Sequence, residues 1–193
     1  MSARLGALVA AAALLAAASP ARAEDVYVID PTHTTPTFDI AHLSGMSRQF
    51  GFFTNAMGRI TLDRAAHTGS IEVEIGTGSV VTAVRVLTDV LKRDDYFNAE
   101  KFPVMRYSAH ELVFDGDVPV RANGELTLLG VTRPVPLTIS DFRCGTHPYT
   151  RRAMCGARAT ATLRRSDFGM TAGLPAAAGD EVHIVIPVEA FKE

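Results

Sequence analysis

Few side chains in this 193-residue sequence are suited to catalysis, and those few are widely spaced. The most promising is His42, which follows Phe38 and Ile40 at alternate positions and so shares one face of a predicted strand with them. A histidine among apolar residues usually forms hydrogen bonds inside a core. The alternative is a functional role, in which His42 donates a hydrogen bond to the polar head of a bound molecule.

Neither metal binding nor redox chemistry is predicted. The two cysteines, Cys144 and Cys155, are not spaced as in a Cys-x-x-Cys motif, and no cluster of histidines accompanies them. In an oxidising compartment such a pair usually closes a local loop, so we predict a structural disulfide between them. The histidines other than His42 show no ligand spacing; they are His33, His67, His110, His147 and His183.

An enzymatic nucleophile is not recognisable in the sequence. No Gly-x-Ser-x-Gly elbow occurs, and no pair of carboxylates stands out. Asp167-Phe168-Gly169 matches a protein-kinase tripeptide, but the glycine-rich loop, the strand lysine and the catalytic-loop aspartate of a kinase are missing. The sequence therefore predicts a protein that is not an enzyme and that requires no cofactor.

Alternating apolar and polar residues dominate the chain and predict strands. The clearest example is Ile71, Val73 and Ile75, which alternate with two glutamates. Asp115-Gly116 fits a hairpin turn, and apolar residues at helical spacing predict one short helix over residues 83–91. About eight strands with one apolar face each, interrupted by one helix, predict an all-β fold, either an antiparallel barrel or a sandwich.

The first 23 residues have the composition of a secretory signal peptide. Arg4 precedes an apolar run over residues 5–18, and Ala21-Arg22-Ala23 is an expected cleavage site. The apolar run is too short and too rich in alanine to span a membrane. We therefore predict that residues 24–193 form a single exported domain, which is a usual length for one domain.

The charge of the chain argues against a nucleic-acid partner. Loss of the two arginines of the leader would take the formal net charge from −2 to −4. The remaining arginines are dispersed, and no basic run is present.

Four segments of the sequence resemble the YceI-like family. They are residues 37–42, residues 96–103, residues 124–139, which read as two strands joined by a tight turn at 130–133, and residues 164–169. Members of that family are secreted bacterial proteins whose lipocalin-like barrel holds a long isoprenoid chain. The resemblance implies an antiparallel lipocalin-like β-barrel of about eight strands with one short helical insertion, and a periplasmic location.

The barrel interior is the expected binding site. Ala153, Ala157, Ala159 and Ala161 place methyl groups toward the core, which suits either an open interior or packing against large residues opposite. The resemblance favours a cavity that holds a polyisoprenoid, such as a quinone or a prenyl pyrophosphate. The predicted ligand-binding residues are Phe38, Ile40, His42, Phe50, Phe52, Met105, Tyr107, Leu126, Leu128, Ala159 and Phe168.

The segment Arg164-Arg165-Ser166-Asp167-Phe168-Gly169 is expected to close one end of this barrel. We predict that Arg165 and Asp167 tie the end together and that Phe168 plugs its base. The alternative is that an arginine of this segment reaches an anionic head group.

The leading hypothesis is a periplasmic carrier that shields an isoprenoid lipid from water. One alternative is a cavity enzyme that acts on a lipid or quinone with His42 as acid or base. Another is an interaction module that contacts a membrane or a membrane protein through an apolar outer patch. A homodimer is a further hypothesis. Fold alone does not choose between these functions.

Overall fold

The structure of the chain is a computed structural model, and it describes residues 24–193. The predicted signal peptide, residues 1–23, lies outside the described residues. The described residues form one α-helix, Arg85–Leu91 (α1), and twelve β-strand segments. The segments are Asp25–Ile29 (β1), Thr37–His42 (β2), Ser47–Phe53 (β3), Ala56–Asp63 (β4), Thr68–Gly76 (β5), Val80–Thr82 (β6), Val104–Asp115 (β7), Val118–Leu128 (β8), Val131–Pro134 (β9), Leu137–Thr146 (β10), Ala153–Arg164 (β11) and Ala178–Lys192 (β12).

The strand segments combine into a closed, eight-stranded antiparallel barrel. β1 and β2 are consecutive halves of the first strand, β3 and β4 of the second, and β5 and β6 of the third, since β1 pairs with β4, β2 with β3, and β3 with β6. β7 then pairs with β5, β8 with β7, β10 with β8, β11 with β10 and β12 with β11. β12 also returns to pair with both β1 and β2. Among residues 24–193, closure leaves no long unpaired edge. The predicted barrel is confirmed.

Alternation along each strand separates the interior from the surface. On β7, Met105, Tyr107 and Ala109 are buried, whereas Arg106 and His110 on the opposite face of the strand are exposed. This is the period of two that a pleated strand imposes on its side chains.

The two ends of the barrel differ. The helix end carries α1, the β2–β3 hairpin and the loop over residues 169–177. The disulfide end carries the turns at residues 64–67 and 116–117 and the β10–β11 hairpin. The predicted helix is present and begins two residues late, at Arg85. Among residues 24–193, no helix is long or apolar enough to cross a membrane.

The predicted turn near Gly130 lies slightly earlier than expected. Leu129 and Gly130 have φ values of 54° and 75°, and the chain then forms the short strand β9, which pairs with β8. Arg133 therefore belongs to a strand rather than to the turn. The predicted hairpin at Asp115-Gly116 is present: Asp115 ends β7, and Gly116 and Asp117 form the turn, with Gly116 at a φ of 58°.

A disulfide joins β10 and β11 at the disulfide end, as predicted. Cys144 and Cys155 lie directly opposite each other in the ladder, with their Cα atoms 4.0 Å apart. The hairpin beyond the disulfide packs back onto β12, where the Arg152 guanidinium lies 4.4 Å from the centre of the Phe191 ring. The disulfide and this cation–π contact together hold the disulfide end of the barrel.

Reduction of the disulfide is expected to destabilise the fold without abolishing it. A bridge across a sequence separation of 11 contributes about 2–3 kcal/mol by restricting the unfolded chain. Replacing Cys144 and Cys155 together by serine should lower Tm by about 5–10 °C, measured by calorimetry. Alkylation and intact-mass measurement of exported protein should find no free thiol; a thiol pair that reacts without reductant would contradict the assignment.

Candidate functional site

The barrel interior is open and apolar. It contains a cavity of about 330 Å³, which lies within the usual range for small-molecule sites. Side chains from every barrel strand reach it. The apolar members of the lining include Ile29, Phe53, Ile60, Leu62, Ile71, Ile75, Leu112, Val135, Leu137, Ile139, Phe142, Leu163, Val182, Ile184, Ile186 and Val188.

Small residues on β11 keep the interior open. Gly156, Ala157 and Ala159 line the cavity from this strand, and Ala190 lines it from β12. Because a methyl group fills little of the barrel radius, this wall leaves room that larger side chains would occupy. The alanine pattern holds only in the strand's middle, because Ala153 at the strand start is exposed.

Most of the predicted wall residues meet in the cavity. The strands β2, β7, β8 and β11 supply them, and the alternation that predicted their inward orientation is correct for each of these strands. They are Phe38, Ile40, His42, Met105, Tyr107, Leu126, Leu128 and Ala159.

The prediction for strand β3 has the wrong phase. Phe38 points inward and pairs with Gly51, so Gly51 also faces the interior, whereas Phe50 and Phe52 pair with the outward Asp39 and Thr37 positions. Phe52 is 37% exposed and does not line the cavity; Phe50 is 65% exposed and borders it only at the rim.

Phe53 takes the place that the sequence assigned to Phe52. It is buried and contacts Phe38 and Phe97, with ring centroids 5.8 and 5.3 Å away. Phe97 belongs to the loop after α1, so this trio joins the helix end to the cavity wall. The error arose because three phenylalanines within four positions fit either phase of a strand.

The segment at the end of β11 has a different set of contacts from those predicted. Phe168 is buried in the core but does not line the cavity. Asp167 is exposed, and the carboxylate that ties this segment down is Asp180. Asp180 accepts hydrogen bonds from the Ser166 backbone N–H at 2.9 Å, the Ser166 hydroxyl at 2.8 Å and Arg164 Nε at 2.8 Å.

Arg165 is the anchor of the neighbouring loop. Its guanidinium donates hydrogen bonds to the backbone carbonyls of Met170, Ala172, Ala178 and Gly179, at 2.7–3.2 Å. The predicted structural role of Arg165 is therefore confirmed. Sequence reasoning did not foresee that this arginine is buried and also lines the cavity.

Several polar groups of the lining lie at the helix end. His42 lies there and shares a hydrogen bond of 3.3 Å between its Nδ1 and the Ser47 hydroxyl. Gln49 and Thr82 line the same end from β3 and β6, and Tyr96 does so from the loop after α1. The cavity is thus amphipathic, with an apolar body and a polar end.

Tyr107 is a polar group within the apolar body. Its hydroxyl lies 3.5 Å from the Ala122 carbonyl oxygen, to which it donates. Burial raises the pKa of Tyr107 to about 12, because a phenolate would lose its hydration there. Tyr107 therefore stays neutral and acts as a hydrogen-bond donor rather than a base.

A second polar cluster lies on the outside, between β1 and β2. His33 Nδ1 is 2.8 Å from an Asp30 carboxylate oxygen and 3.9 Å from a Glu189 oxygen. Within residues 24–193, this group of three has potential metal ligands within 4.8 Å of one another. The spacing of the histidines in the sequence gives no sign of this group, because Glu189 is distant in sequence and adjacent in the barrel.

The Asp30–His33 pair should make stability depend on pH. Burial acts to raise the pKa of Asp30, but hydrogen bonds from His33 and Thr32 outweigh it and lower the pKa to about 2. The hydrogen bond that His33 donates to Asp30, and then the charges of Asp30 and Glu189, raise the pKa of His33.

These two shifts have opposite signs and define one pH window. The contribution of Asp30 to the free energy of unfolding is present above pH about 4 and is lost as pH falls toward about 2. The contribution of His33 is present below pH about 6.5 and is lost as pH rises above it. Urea denaturation at pH 2.5, 5 and 8 should show Asp30→Asn costing most at pH 5, and His33→Gln should give the same profile. A cost that does not vary with pH would contradict the pairing.

Comparisons with known proteins agree with this architecture. The sequence model of the YceI-like domain matches residues 27–190. A UPF0312 protein of Pectobacterium carotovorum is 30% identical over 187 residues, covering 96% of this chain and 95% of the relative. A UPF0312 protein of Pseudomonas aeruginosa is 31% identical over 192 residues, covering 98% and 97%.

Solved structures share the fold at lower identity. Burkholderia cenocepacia BcnA has a TM-score of 0.69 at 19% identity, covering 83% of this chain and 98% of that one. A polyisoprenoid-binding domain from Saccharophagus degradans, implicated in plant cell wall breakdown, has a TM-score of 0.62 at 16% identity, with 86% and 98% covered. These similarities establish the likeness of fold.

Proposed function

Because this chain belongs to the YceI-like family, we propose that it is a periplasmic carrier that holds a lipid with a polyisoprenoid tail inside its barrel. One observation carries the proposal: the cavity has an apolar body that runs through the barrel and a polar end beside His42. An isoprenoid lipid has the same division into a long apolar tail and a small polar head. The polyisoprenoid-binding domain among the structural neighbours supports this ligand class.

Burial of the tail is sufficient to drive binding. Enclosing about 600 Å² of apolar surface at about 25 cal/mol per Å² gives about 15 kcal/mol. Lost translation, rotation and internal freedom cost about 4–15 kcal/mol of that. The difference is at most about 11 kcal/mol, which exceeds the about 8 kcal/mol of micromolar affinity, so affinity of that order is within reach of burial alone.

The polar end sets the orientation of the ligand. His42, Gln49 and Tyr96 offer hydrogen-bond donors and acceptors there, so the head of a quinone or prenyl pyrophosphate would lie at the helix end and its tail would extend toward the disulfide end. The Tyr107 oxygen, whose hydrogen is directed at the Ala122 carbonyl, can accept one more hydrogen bond part-way along.

An exported location agrees with the covalent chemistry of the chain. The disulfide between Cys144 and Cys155 is stable in an oxidising compartment, and the predicted signal peptide would deliver the protein there. In such a compartment an isoprenoid lipid outside a membrane needs an apolar shelter.

Exposed apolar side chains near the opening support transient contact with a membrane. Met46, at the tip of the β2–β3 hairpin, is 86% exposed, and Val86 of α1 is 70% exposed. Leu43 and Phe50 add to the same rim. This rim surrounds the polar end, where a lipid would enter from a bilayer.

Filling the cavity should abolish lipid loading while the protein still folds. In Ala159→Phe the new ring would project into the cavity from β11 and occupy the space of the tail. Native mass spectrometry of the purified variant should detect no co-purified lipid, whereas wild type carries one.

The matched control is Thr162→Phe, on the exposed face of the same strand. This variant should keep its lipid. Equal lipid recovery from Ala159→Phe and wild type would place the ligand elsewhere.

A carrier and a cavity enzyme differ in their need for His42. We expect His42→Gln to retain lipid, with affinity reduced no more than about tenfold, the loss of about one hydrogen bond. An enzyme that uses His42 as acid or base would lose about 10²–10⁴-fold in rate on this substitution. The enzyme alternative is tested by incubating wild type and variant with a prenyl quinone and separating the products by chromatography. Product formed by wild type alone would overturn the carrier proposal.

A further inference from the structure

Asp30, His33 and Glu189 form a compact group of side chains that can bind a metal, on the outside of the barrel. His33 Nδ1 lies 2.8 Å from one Asp30 oxygen and 3.9 Å from one Glu189 oxygen. None of the three residues lines the cavity. A role for this group is therefore independent of the proposed carrier function.

The spacing of the three donor atoms suits a small divalent metal ion. Nitrogen and oxygen ligands lie about 2.0–2.2 Å from zinc, so the donors around a tetrahedral zinc ion are about 3.4 Å apart. The two distances from His33 Nδ1, 2.8 and 3.9 Å, lie on either side of this value. All three donor atoms lie within 4.8 Å of one another. Rotation of the His33 and Glu189 side chains, which are 60% and 40% exposed, would bring the donors to the required spacing.

Hydrogen bonds hold the Asp30 carboxylate in an orientation suited to a metal ligand. Its Oδ1 accepts hydrogen bonds from the Thr32 backbone N–H at 2.9 Å and from the Thr32 hydroxyl at 2.7 Å. Its Oδ2 is the oxygen that faces His33. Carboxylates that bind metals are usually held by such hydrogen bonds, which orient the ligating oxygen.

Backbone contacts fix the turn that carries Asp30 and His33 against the strand that carries Glu189. The Asp30 N–H donates to the Glu189 carbonyl at 2.8 Å, and the Glu189 N–H donates to the Thr34 hydroxyl at 3.1 Å. Thr34 is 2% exposed, so this joint is protected from water. Two segments that are distant in sequence thus present their ligands from a backbone that is already held in place.

The two carboxylates lack a permanent positive charge to balance them. Among the described residues, neither Asp30 nor Glu189 forms an ion pair with a lysine or an arginine. His110 and His183 are simpler, because each contacts a single glutamate, at 3.3 and 3.0 Å. An imidazole beside two carboxylates combines the nitrogen and oxygen ligands that zinc accepts with two negative charges.

We propose that Asp30, His33 and Glu189 bind a zinc ion on the outside of the barrel. His33 binds through Nδ1 as a neutral imidazole with its proton on Nε2, and each carboxylate contributes one oxygen. Three protein ligands leave the fourth position to water. The ion joins the turn between β1 and β2 to β12, the strand that closes the barrel. Because it binds the folded chain, it stabilises the fold.

The decisive experiment is a metal titration of wild-type protein that carries no affinity tag. The protein is first freed of metal with a chelator and is then titrated with zinc chloride or calcium chloride at neutral pH in a calorimeter. We expect one zinc ion per chain and at least about tenfold weaker binding of calcium, which takes oxygen ligands. Zinc at about 100 times its Kd should raise Tm by about 5 °C or more.

Two variants then assign the ion to this group. His33→Gln and Glu189→Gln each remove one ligand and should weaken zinc binding at least about tenfold. Both substitutions leave the Asp30–Thr32 hydrogen bonds and the backbone contacts of the turn in place. The control His183→Gln removes a histidine that contacts a single glutamate and should bind zinc as wild type does.

Three results would overturn the proposal. The first is wild-type protein that binds no zinc, which decides the matter even if a variant fails to fold. The second is unchanged zinc affinity in both His33→Gln and Glu189→Gln. The third is an equal loss of affinity in the control, which would place the ion elsewhere on the surface. Each of these results leaves the carrier function untouched, because lipid loading is measured separately.

Discussion

The pairing of β12 with both halves of the first strand is the constraint on which the rest depends. β12 binds β2 through Val182, Ile184 and their neighbours, and then binds β1 through residues 190–192. One strand of fifteen residues thus closes the sheet over the full height of the barrel. Closure fixes the radius, so the size of the inward side chains decides whether the interior is solid or open.

The interior is open because small residues lie on the wall formed by β11. β11 presents Gly156, Ala157 and Ala159 to the inside, and large side chains opposite do not reach across. Polar side chains at the helix end make the two ends of the cavity different. The Arg165 guanidinium, which holds the loop over residues 169–177, places a positive charge at that end. The same guanidinium therefore stabilises a loop and shapes the electrostatics of the site.

The sequence predicts those features that repeat along a strand or recur locally. The alternation of apolar residues predicted correctly that Met105, Tyr107, Leu126 and Leu128 face the interior. The presence of two cysteines eleven positions apart predicted the disulfide. The phase of β3 could not be predicted in the same way, because its register is set by the tight hairpin at residues 43–46, where three consecutive residues have positive φ.

Contacts between distant segments were beyond prediction for a different reason. Asp180, not Asp167, holds Ser166, because β12 returns beside the end of β11. Glu189 reaches His33 through the same return of the chain. The four carbonyls around Arg165 are backbone groups, which carry no signal in side-chain sequence.

The Cys144–Cys155 bridge has a mechanical consequence. It stops β10 and β11 from parting at the end remote from His42, and the β10–β11 hairpin covers that end further. We expect opening motions of the barrel to concentrate at the helix end, where α1 and the loop over residues 169–177 lie. A ligand of the proposed carrier would therefore leave through the helix end, the same end by which it entered.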